Sequence, residues 1–402
     1  MLISIKKLFY LQTIESITYH ALLAGNLSAL YFYIPKMLYG KIGVLFSIIY
    51  LSVSLINAGL DDSLPPFFTE SGFIKKKISF LFFPNFFLYI IFLSALFWIK
   101  PFSLTITELL IIGCIVATES LKKTAKIILQ LYAHIQTTIV GELGMMCAYT
   151  ALVWLGIFFT SSASVMHIFL PLFICSLIEL IFFVYKLKKQ NRSFFHSTDS
   201  VSFPVYPFLR MRLLLYLYAI GNTFTSTNII IPIISTWYGF SHAAQAKWIT
   251  SLVMNILFII KRIADAFSLF FFPHQKTSVK FAQNMQLIIY IPIFILCSAS
   301  LLYIWNYKIE NMLVSTLCIV IPSLDVAFIT YRRWLIQKHI IGILLIPYFC
   351  LSIYLVALFF IYPKEVSGIN ILIAISSSRV VAAVLMSAAM RYLRTNSPVF
   401  TK

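Results

Sequence analysis

The sequence IIGILLIPYFCLSIYLVALFFI at residues 340–361 decides the fold class, because it contains no charged side chain. A membrane-spanning helix needs about 20 consecutive apolar residues. The strands of a membrane barrel are about half that length and alternate apolar with polar side chains, which this run does not do. The stretch therefore predicts a transmembrane α-helix.

The rest of the chain repeats this character. The predicted spans lie at residues 9–34, 42–60, 78–99, 104–121, 139–160, 165–185, 209–233, 247–272, 281–305, 310–331, 340–361 and 367–390. Hydrophobic residues make up 60% of the 402 positions and charged residues 11%, against about 45–50% and about 25% in soluble domains. This composition excludes a soluble enzyme, a disordered protein and a secreted disulfide scaffold. We predict an all-α polytopic membrane protein with about twelve transmembrane helices in two six-helix lobes around a central cavity.

The excess positive charge indicates the membrane topology. The chain has 31 Lys and Arg residues against 13 Asp and Glu residues, a net charge of +18. With the N-terminus inside, 22 of the 31 cations fall in cytoplasmic segments, six lie on the opposite side and three lie within spans. This bias predicts a multi-pass protein of the cytoplasmic (inner) membrane with both termini cytoplasmic. The cations would face anionic membrane lipid, and we expect no nucleic-acid partner.

The longest predicted loop separates two halves of six spans. It contains several basic and Ser residues together with Pro204 and Pro207. The predicted organisation is an N-terminal six-helix lobe at 1–185, a cytoplasmic linker at 186–208 and a C-terminal six-helix lobe at 209–402. Such a layout is common among transporters that arose by duplication.

The first span is unusually polar, because Glu15, His20 and Asn26 interrupt its apolar residues. No small-residue cleavage site follows, so we expect this span to be retained rather than removed as a signal peptide. Glu15 and His20 are about 140° apart around a helix and do not share one face closely. Such a helix should avoid lipid. It either lines a central cavity, with Glu15 and His20 as a cation- or proton-linked gate, or these side chains pair with neighbouring helices.

The densest charged group within a span comprises Lys261, Arg262 and Asp265. Asp265 follows the two cations by four and three residues, so either pair can meet on a helix surface. One interpretation is a self-neutralised group with Lys261 extending towards the interface. The other is that one cation remains to attract an anionic headgroup.

Arg379 is the only cation near the middle of the twelfth predicted span. It either pairs with Asp325 or Glu179 or binds an anionic substrate group. The complete set of predicted substrate-binding residues is Glu15, His20, Asn26, Lys261, Arg262, Asp265 and Arg379.

A basic pattern follows the fourth predicted span. Glu119, Lys122, Lys123 and Lys126 recur at helical spacing. The pattern predicts a solvated cytoplasmic extension of that span, with a phosphate-attracting patch as the alternative.

Motifs for nucleotide, metal or nucleophile chemistry are missing from the sequence. It contains no G-x-G-x-x-G, P-loop or H-E-x-x-H pattern. The six cysteines all lie in apolar runs without metal-ligand spacing, so we expect them to pack between helices. We expect no cofactor, no metal and no enzymatic activity.

Three stretches resemble the polysaccharide flippases of the multidrug/oligosaccharidyl-lipid/polysaccharide exporter superfamily. KMLYGKIGVLFSIIYLSVSLINAGLDDSLPPFFTES, beginning at Lys36, resembles their first turn and second span. Its matching positions are Leu38, Gly40, Gly43, Gly59 and Leu60, followed by Asp61 and Asp62. LQLYAHIQTTIVGELGMM at 129–146 is similar to the link between their fourth and fifth spans. GNTFTSTNIIIPIISTWYGFSHAAQAKWI at 221–249 is similar to the opening of their second lobe.

The resemblance implies that a lipid-linked glycan precursor is moved from the cytoplasmic to the outer leaflet for surface polysaccharide biosynthesis. Cationic cavity residues would attract its polyprenyl pyrophosphate. The implied partners are membrane lipid, the lipid-linked glycan, a coupling cation or proton, and a glycan polymerase. This sequence departs from the group in having no arginine on the first span and in being compact.

Two other functions remain open. A cation-coupled multidrug exporter of the same fold would need acidic cavity residues, and Glu15, Glu142, Glu179 and Asp325 are available. A membrane-embedded glycan polymerase or ligase is the second alternative, although the short external loops argue against it. A non-transporting scaffold descended from a flippase is a further interpretation.

Overall fold

The structure is a computed structural model that describes the helices and some of the residues between them. The described residues are 5–57, 60, 88–91, 105–131, 135–160, 163–194, 205–224, 227–274, 290, 293, 295, 297, 299–300, 312–328, 331–332, 335, 342–361 and 368–396. Side chains are described for most of these positions. The predicted spans at 78–99 and 281–305 lie largely outside the described residues.

The long described elements are all α-helices, which confirms the predicted fold class. They are α1 (Ile5–Tyr33), α2 (Lys36–Ile56), α3 (Ile106–Leu131), α4 (Ile135–Thr160), α5 (Val165–Phe194), α6 (Val205–Phe224), α7 (Thr227–His274), α8 (Met312–Ala327), α9 (Gly342–Ile361) and α10 (Gly368–Asn396). Among the described residues, stretches within α2, α4, α5 and α10 are long and apolar enough to cross a membrane.

The helix boundaries in the middle of the chain differ from the prediction. The predicted span 209–233 is divided between α6 and the start of α7. Within α7, Gly239 has φ +82° and interrupts the helical backbone. This left-handed conformation is readily accessible only to glycine. The kink falls between the predicted spans 209–233 and 247–272, whereas the break between α6 and α7 falls inside the first of these spans.

Local sequence fixes the start of α3. The Thr105 backbone N–H donates to Glu108 Oε2 (2.9 Å), and the Glu108 N–H donates to Thr105 Oγ1 (3.2 Å). This reciprocal capping box satisfies backbone donors that a helix start otherwise leaves unpaired. α3 therefore begins where the T-x-x-E sequence places it.

Contacts between Cα atoms divide the chain into two compact units. The first unit comprises Met1–Ser4 and Leu45–Tyr216, and the second comprises Ile5–Val44 and Leu217–Lys402. In the first unit, α3 and α4 both pack against α5. In the second, α1 and α8 pack against α7, and α9 packs against α10. The structure thus groups α1 with helices of the second half, and the predicted division into two six-helix lobes stays a prediction.

Small and polar residues hold the helices of each unit together. A Cβ atom added at Gly141 would lie 2.7 Å from the Phe183 ring, so this glycine lets α4 approach α5 closely. At the end of α2, Asn57 donates to Ser120 Oγ (3.0 Å) and accepts from Thr124 Oγ1 (3.1 Å). These bonds tie α2 to α3 inside the first unit.

The cysteines only partly match the prediction that they pack between helices. Cys175 and Cys318 are buried and Cys297 is half-buried, whereas Cys114, Cys147 and Cys350 are exposed. Cysteine is apolar enough to lie on an outward helix face. The prediction is therefore wrong for these three.

Candidate functional site

α1 buries its polar residues. Glu15 is 2% exposed, and Ser16, His20 and Asn26 are buried as well. Ile14, next to Glu15, is exposed instead. The helix therefore buries Glu15, His20 and Asn26 within the second unit, where α7 packs against it, together with apolar residues such as Leu27 and Leu30. Although Glu15 and His20 are far apart around the helix, both are buried.

His20 forms the best-defined contact between α1 and α7. Its Nδ1 lies 3.0 Å from Asn255 Oδ1 in a buried hydrogen bond. Its ring stacks on Phe258 with 5.5 Å between ring centroids. Asn255 in turn donates to the Ser251 carbonyl (2.7 Å). The ring is thus fixed in orientation by two side chains of α7.

Arg379 of α10 forms a second polar site in the same unit. Its Nη1 donates to Asn222 Oδ1 (2.6 Å), and its Nη2 donates to the Asn222 backbone carbonyl (2.8 Å). The Tyr348 hydroxyl donates to the same Asn222 Oδ1 (3.2 Å) and lies 3.4 Å from Arg379 Nη1. Arg379 is only 5% exposed. The site thus keeps a cation inside the helix packing by surrounding it with oxygen atoms.

The close approach of α6 and α9 depends on Gly221. A Cβ atom at this position would lie 2.6 Å from the Tyr348 ring. Because Gly221 has no side chain, α9 lies close enough to α6 for the Tyr348 hydroxyl to contact Asn222 and Arg379. Neither Asn222 nor Tyr348 was among the predicted binding residues, although an asparagine inside a predicted span was a usable signal.

Two acidic residues, Glu179 and Asp325, are the predicted partners of Arg379. Glu179 belongs to the first unit, where its Oε2 lies 3.1 Å from Lys122 Nζ. The side chain of Asp325 lies outside the described residues. The described bonds of Arg379 go to Asn222 and Tyr348, and its pairing with Asp325 or Glu179 stays a prediction.

The predicted charged group of Lys261, Arg262 and Asp265 lies in the second half of α7. The backbone at Lys261, Arg262 and Asp265 is helical. Their side chains lie outside the described residues, so their roles stay predictions.

The first unit contains an ion network that the sequence pattern did not reveal. Lys122 Nζ lies 2.6 Å from Glu119 Oε1 and 3.1 Å from Glu179 Oε2. Lys126 forms an ion pair with Glu142. These side chains are 5–22% exposed. The prediction that Lys122 and Lys126 belong to a solvated extension is therefore wrong, because α4 and α5 supply carboxylates that cover them.

No group of three His, Cys, Asp or Glu side chains suited to a metal ion occurs among the residues that the structure describes. The polar chemistry of the described helices consists of hydrogen bonds and ion pairs. Such groups can bind a polar or charged ligand.

Comparison with known proteins places this arrangement in a known fold. No family model matches the chain, and no curated protein matches it in sequence. A MOP superfamily transporter from Pyrococcus furiosus has a TM-score of 0.61 at 12% identity over 97% of each chain. The lipid II flippase MurJ, in an inward closed conformation, has a TM-score of 0.58 at 12% identity, over 96% of this chain and 87% of its own. The chain has the fold of the MOP superfamily transporters.

A further neighbour is a multidrug resistance MATE family transporter in an outward-facing conformation. It has a TM-score of 0.56 at 13% identity over 98% of each chain. The MOP fold thus extends over nearly the whole chain. It includes a lipid II flippase and multidrug transporters, and the Pyrococcus protein is described as having a binding pocket of reverse polarity that suggests a different function.

Proposed function

We propose that the protein is a flippase that moves a lipid-linked glycan precursor across the bacterial cytoplasmic membrane for surface polysaccharide biosynthesis. A sugar headgroup cannot cross about 30 Å of hydrocarbon unaided. Alternating access lets a protein shelter the headgroup and expose it to each side in turn. The MOP fold supports this proposal, since a lipid II flippase shares it.

The observation that carries the proposal is the burial of polar side chains within the apolar helices of the second unit. Glu15, His20, Asn26 and Arg379 are all buried. Polar and ionisable groups are costly at membrane depth and often mark substrate or ion pathways. In the proposal, Arg379 binds the phosphate together with Lys261 and Arg262, whereas Glu15 and His20 respond to a coupling proton or cation. Partnership with a glycan polymerase stays a prediction.

Export measurements with single arginine variants test the proposal. Arg379→Ala and Arg262→Ala are each expected to reduce export of surface glycan about tenfold or more, since a hydrogen bond to a charged group contributes about 1.5–3 kcal/mol. Arg391→Ala is the control, because Arg391 is an exposed arginine on the same helix as Arg379. Unchanged export by both test variants at normal protein levels would contradict the assignment.

A cation-coupled multidrug exporter is the second candidate function. The buried carboxyl of Glu15 and the multidrug transporter among the structural neighbours favour it. Against it, Glu142 and Glu179 already pair with lysines. Expression of the chain in a drug-sensitive strain distinguishes the two: drug resistance without any effect on surface glycan would favour the exporter.

A further inference from the structure

Four aromatic side chains of the second unit form a cluster that has no part in the phosphate binding proposed above. They come from three helices: Tyr31 and Phe32 from α1, Tyr39 from α2 and Trp248 from α7. The Tyr31 and Trp248 rings are stacked, with 5.0 Å between their centroids and 7° between their planes. Tyr39 contacts Tyr31 edge-on at 5.3 Å, and Phe32 contacts Trp248 edge-on at 5.8 Å. We call these four residues the aromatic cluster.

The aromatic cluster extends from the surface of the second unit into its interior. Phe32 is 74% exposed, Tyr31 and Trp248 are half-buried, and Tyr39 is 1% exposed. A Cβ atom at Gly40, the residue after Tyr39, would overlap a backbone carbonyl of α7, so the glycine allows α2 to lie this close to α7. The half-buried rings thus connect the surface with the buried end of the cluster.

Two polar atoms of the cluster lack the partners that buried groups normally have. The Tyr39 hydroxyl and the Trp248 indole Nε1 are both buried, and neither has a hydrogen-bond partner among the described atoms. Tyrosine hydroxyls and tryptophan N–H groups usually find a partner when buried, because burial removes the water that would otherwise pair with them. Both rings adjoin Tyr31. Two such atoms in one cluster therefore point to a polar ligand that pairs with them.

The chemistry of these two atoms limits the class of ligand. An indole N–H can only donate, so its partner must carry an acceptor, whereas a phenolic hydroxyl can donate and accept. Sugar hydroxyls do both. A pyranose ring also has a face of C–H bonds, which suits the electron-rich face of a tyrosine or tryptophan ring. A cationic drug offers the rings a charge but need not carry an acceptor, so the cluster favours a sugar.

The predicted topology places the aromatic cluster on the side where an exported glycan leaves. With the N-terminus inside, the first span ends outside, and α1 ends at Tyr33, close after Tyr31. Tyr39 lies in the first turn of α2, which begins at Lys36. Trp248 lies at the start of the eighth predicted span, which also begins outside. All three elements therefore bring their outer ends to the cluster.

We propose that the aromatic cluster is a sugar-binding site at the extracytoplasmic end of the second unit. It binds a pyranose unit of the glycan by ring stacking and by hydrogen bonds to Tyr39 and Trp248. Because both polar atoms are covered in this conformation, the sugar reaches them when α1 and α7 part at this end, as alternating access requires. The role of the site in export rests on the proposed function. It uses other helices than Arg379, whose described bonds go to α6 and α9.

Saturation-transfer NMR tests the site on the full-length protein in lipid nanodiscs, with empty nanodiscs as the blank. The probes are the methyl glycosides of glucose, galactose and N-acetylglucosamine, and we expect at least one to bind. Trp248→Phe and Tyr39→Phe keep an aromatic ring and remove the polar atom, so each should weaken binding about fivefold, the usual effect of one lost hydrogen bond. Trp237→Phe is the matched control, because Trp237 is a 40% exposed tryptophan of the same helix outside the cluster. Its binding should equal that of the wild type.

Thermal unfolding without sugar separates binding from a structural role. Tyr39→Phe removes a hydroxyl that has no partner among the described atoms, so the unfolding temperature should stay unchanged or rise. The proposal is overturned if no glycoside binds, if the two variants bind as tightly as Trp237→Phe, or if Tyr39→Phe lowers the unfolding temperature.

The glycosides carry neither phosphate nor lipid, so their binding is independent of export. A chain that exports glycan but binds none of them would lose this site and keep the proposed function. A chain that binds them through Tyr39 and Trp248 but exports no glycan would keep the site and lose that function.

Discussion

Arg379 retains a charged guanidinium inside the second unit because oxygen atoms of Asn222 and Tyr348 lie around it. Removing the partner of a buried charged group destabilises the protein by more than the net contribution of the hydrogen bond. The group that remains is neither solvated nor hydrogen-bonded. The side-chain oxygen of Asn222 is the closest described acceptor of Arg379. It is therefore the atom on which the stability of this site most depends.

We predict that Asn222→Ala lowers the free energy of unfolding by about 1–3 kcal/mol, the cost of an unsatisfied buried polar group. Tyr348→Phe is the matched control, because its hydroxyl is 3.4 Å from Arg379 and 3.2 Å from Asn222, longer than the 2.6 Å bond. Denaturant unfolding in one detergent measures both. A smaller loss of unfolding free energy for Asn222→Ala than for Tyr348→Phe would contradict the prediction that the Asn222 amide stabilises the site most.

Sequence reasoning identified Arg379 as a buried functional candidate but could not identify its partners. Asn222 is 157 positions away in the chain, and the contact exists only because α6, α9 and α10 meet. The same limit applies to His20, whose partner Asn255 is 235 positions away. Polarity within a span can be read from one segment, whereas pairing requires knowing which helices pack together.

At the scale of elements, α2 approaches the α7 backbone closely at Gly40. A Cβ atom added there would overlap the Phe240 carbonyl and lie 2.8 Å from its carbon atom. The obstacle is backbone, which cannot move aside as a flexible side chain can. Gly25 of α1 has no atom within 4 Å of the equivalent position, so the two glycines differ in packing.

We predict that Gly40→Ala destabilises the protein by about 1–3 kcal/mol or more, the usual cost of overpacking. Gly25→Ala should stabilise it by about 0.5–1 kcal/mol, since alanine favours a helix interior. Thermal unfolding of both variants in the same detergent measures the difference. Equal effects would show that α2 does not approach α7 as closely as the structure indicates.

Helices α3 and α5 show that the sequence predicts which segments are helical better than it predicts which side chains face solvent. Apolar run length correctly located both helices. The lysines at helical spacing on α3 suggested solvent, because charged residues usually lie there. Glu142 and Glu179 lie on other helices, so the neutralisation of these lysines became visible only when the helices packed together.

At the scale of the whole molecule, the apolar composition predicted the fold class, whereas the topology inferred from charge stays a prediction. The predicted all-helical membrane fold is confirmed, and the resemblance to the exporter superfamily agrees with the fold of the structural neighbours. Composition works at this scale because about 30 Å of hydrocarbon constrains every span in the same way. The cargo depends on a few side chains and cannot be predicted in this manner.

The orientation of the chain is a further whole-molecule prediction, and it rests on the 22 of 31 cations assigned to cytoplasmic segments. Alkaline phosphatase fused after Lys308 should be active, because the enzyme needs the disulfides that form outside the cytoplasm. The same enzyme fused after Lys402 should be inactive, whereas a fluorescent protein at Lys402 should fluoresce. All three fusions are compared at equal expression, and phosphatase activity and fluorescence are measured in whole cells. Phosphatase activity at Lys402 would place the C-terminus outside, which an even number of spans with a cytoplasmic N-terminus does not allow.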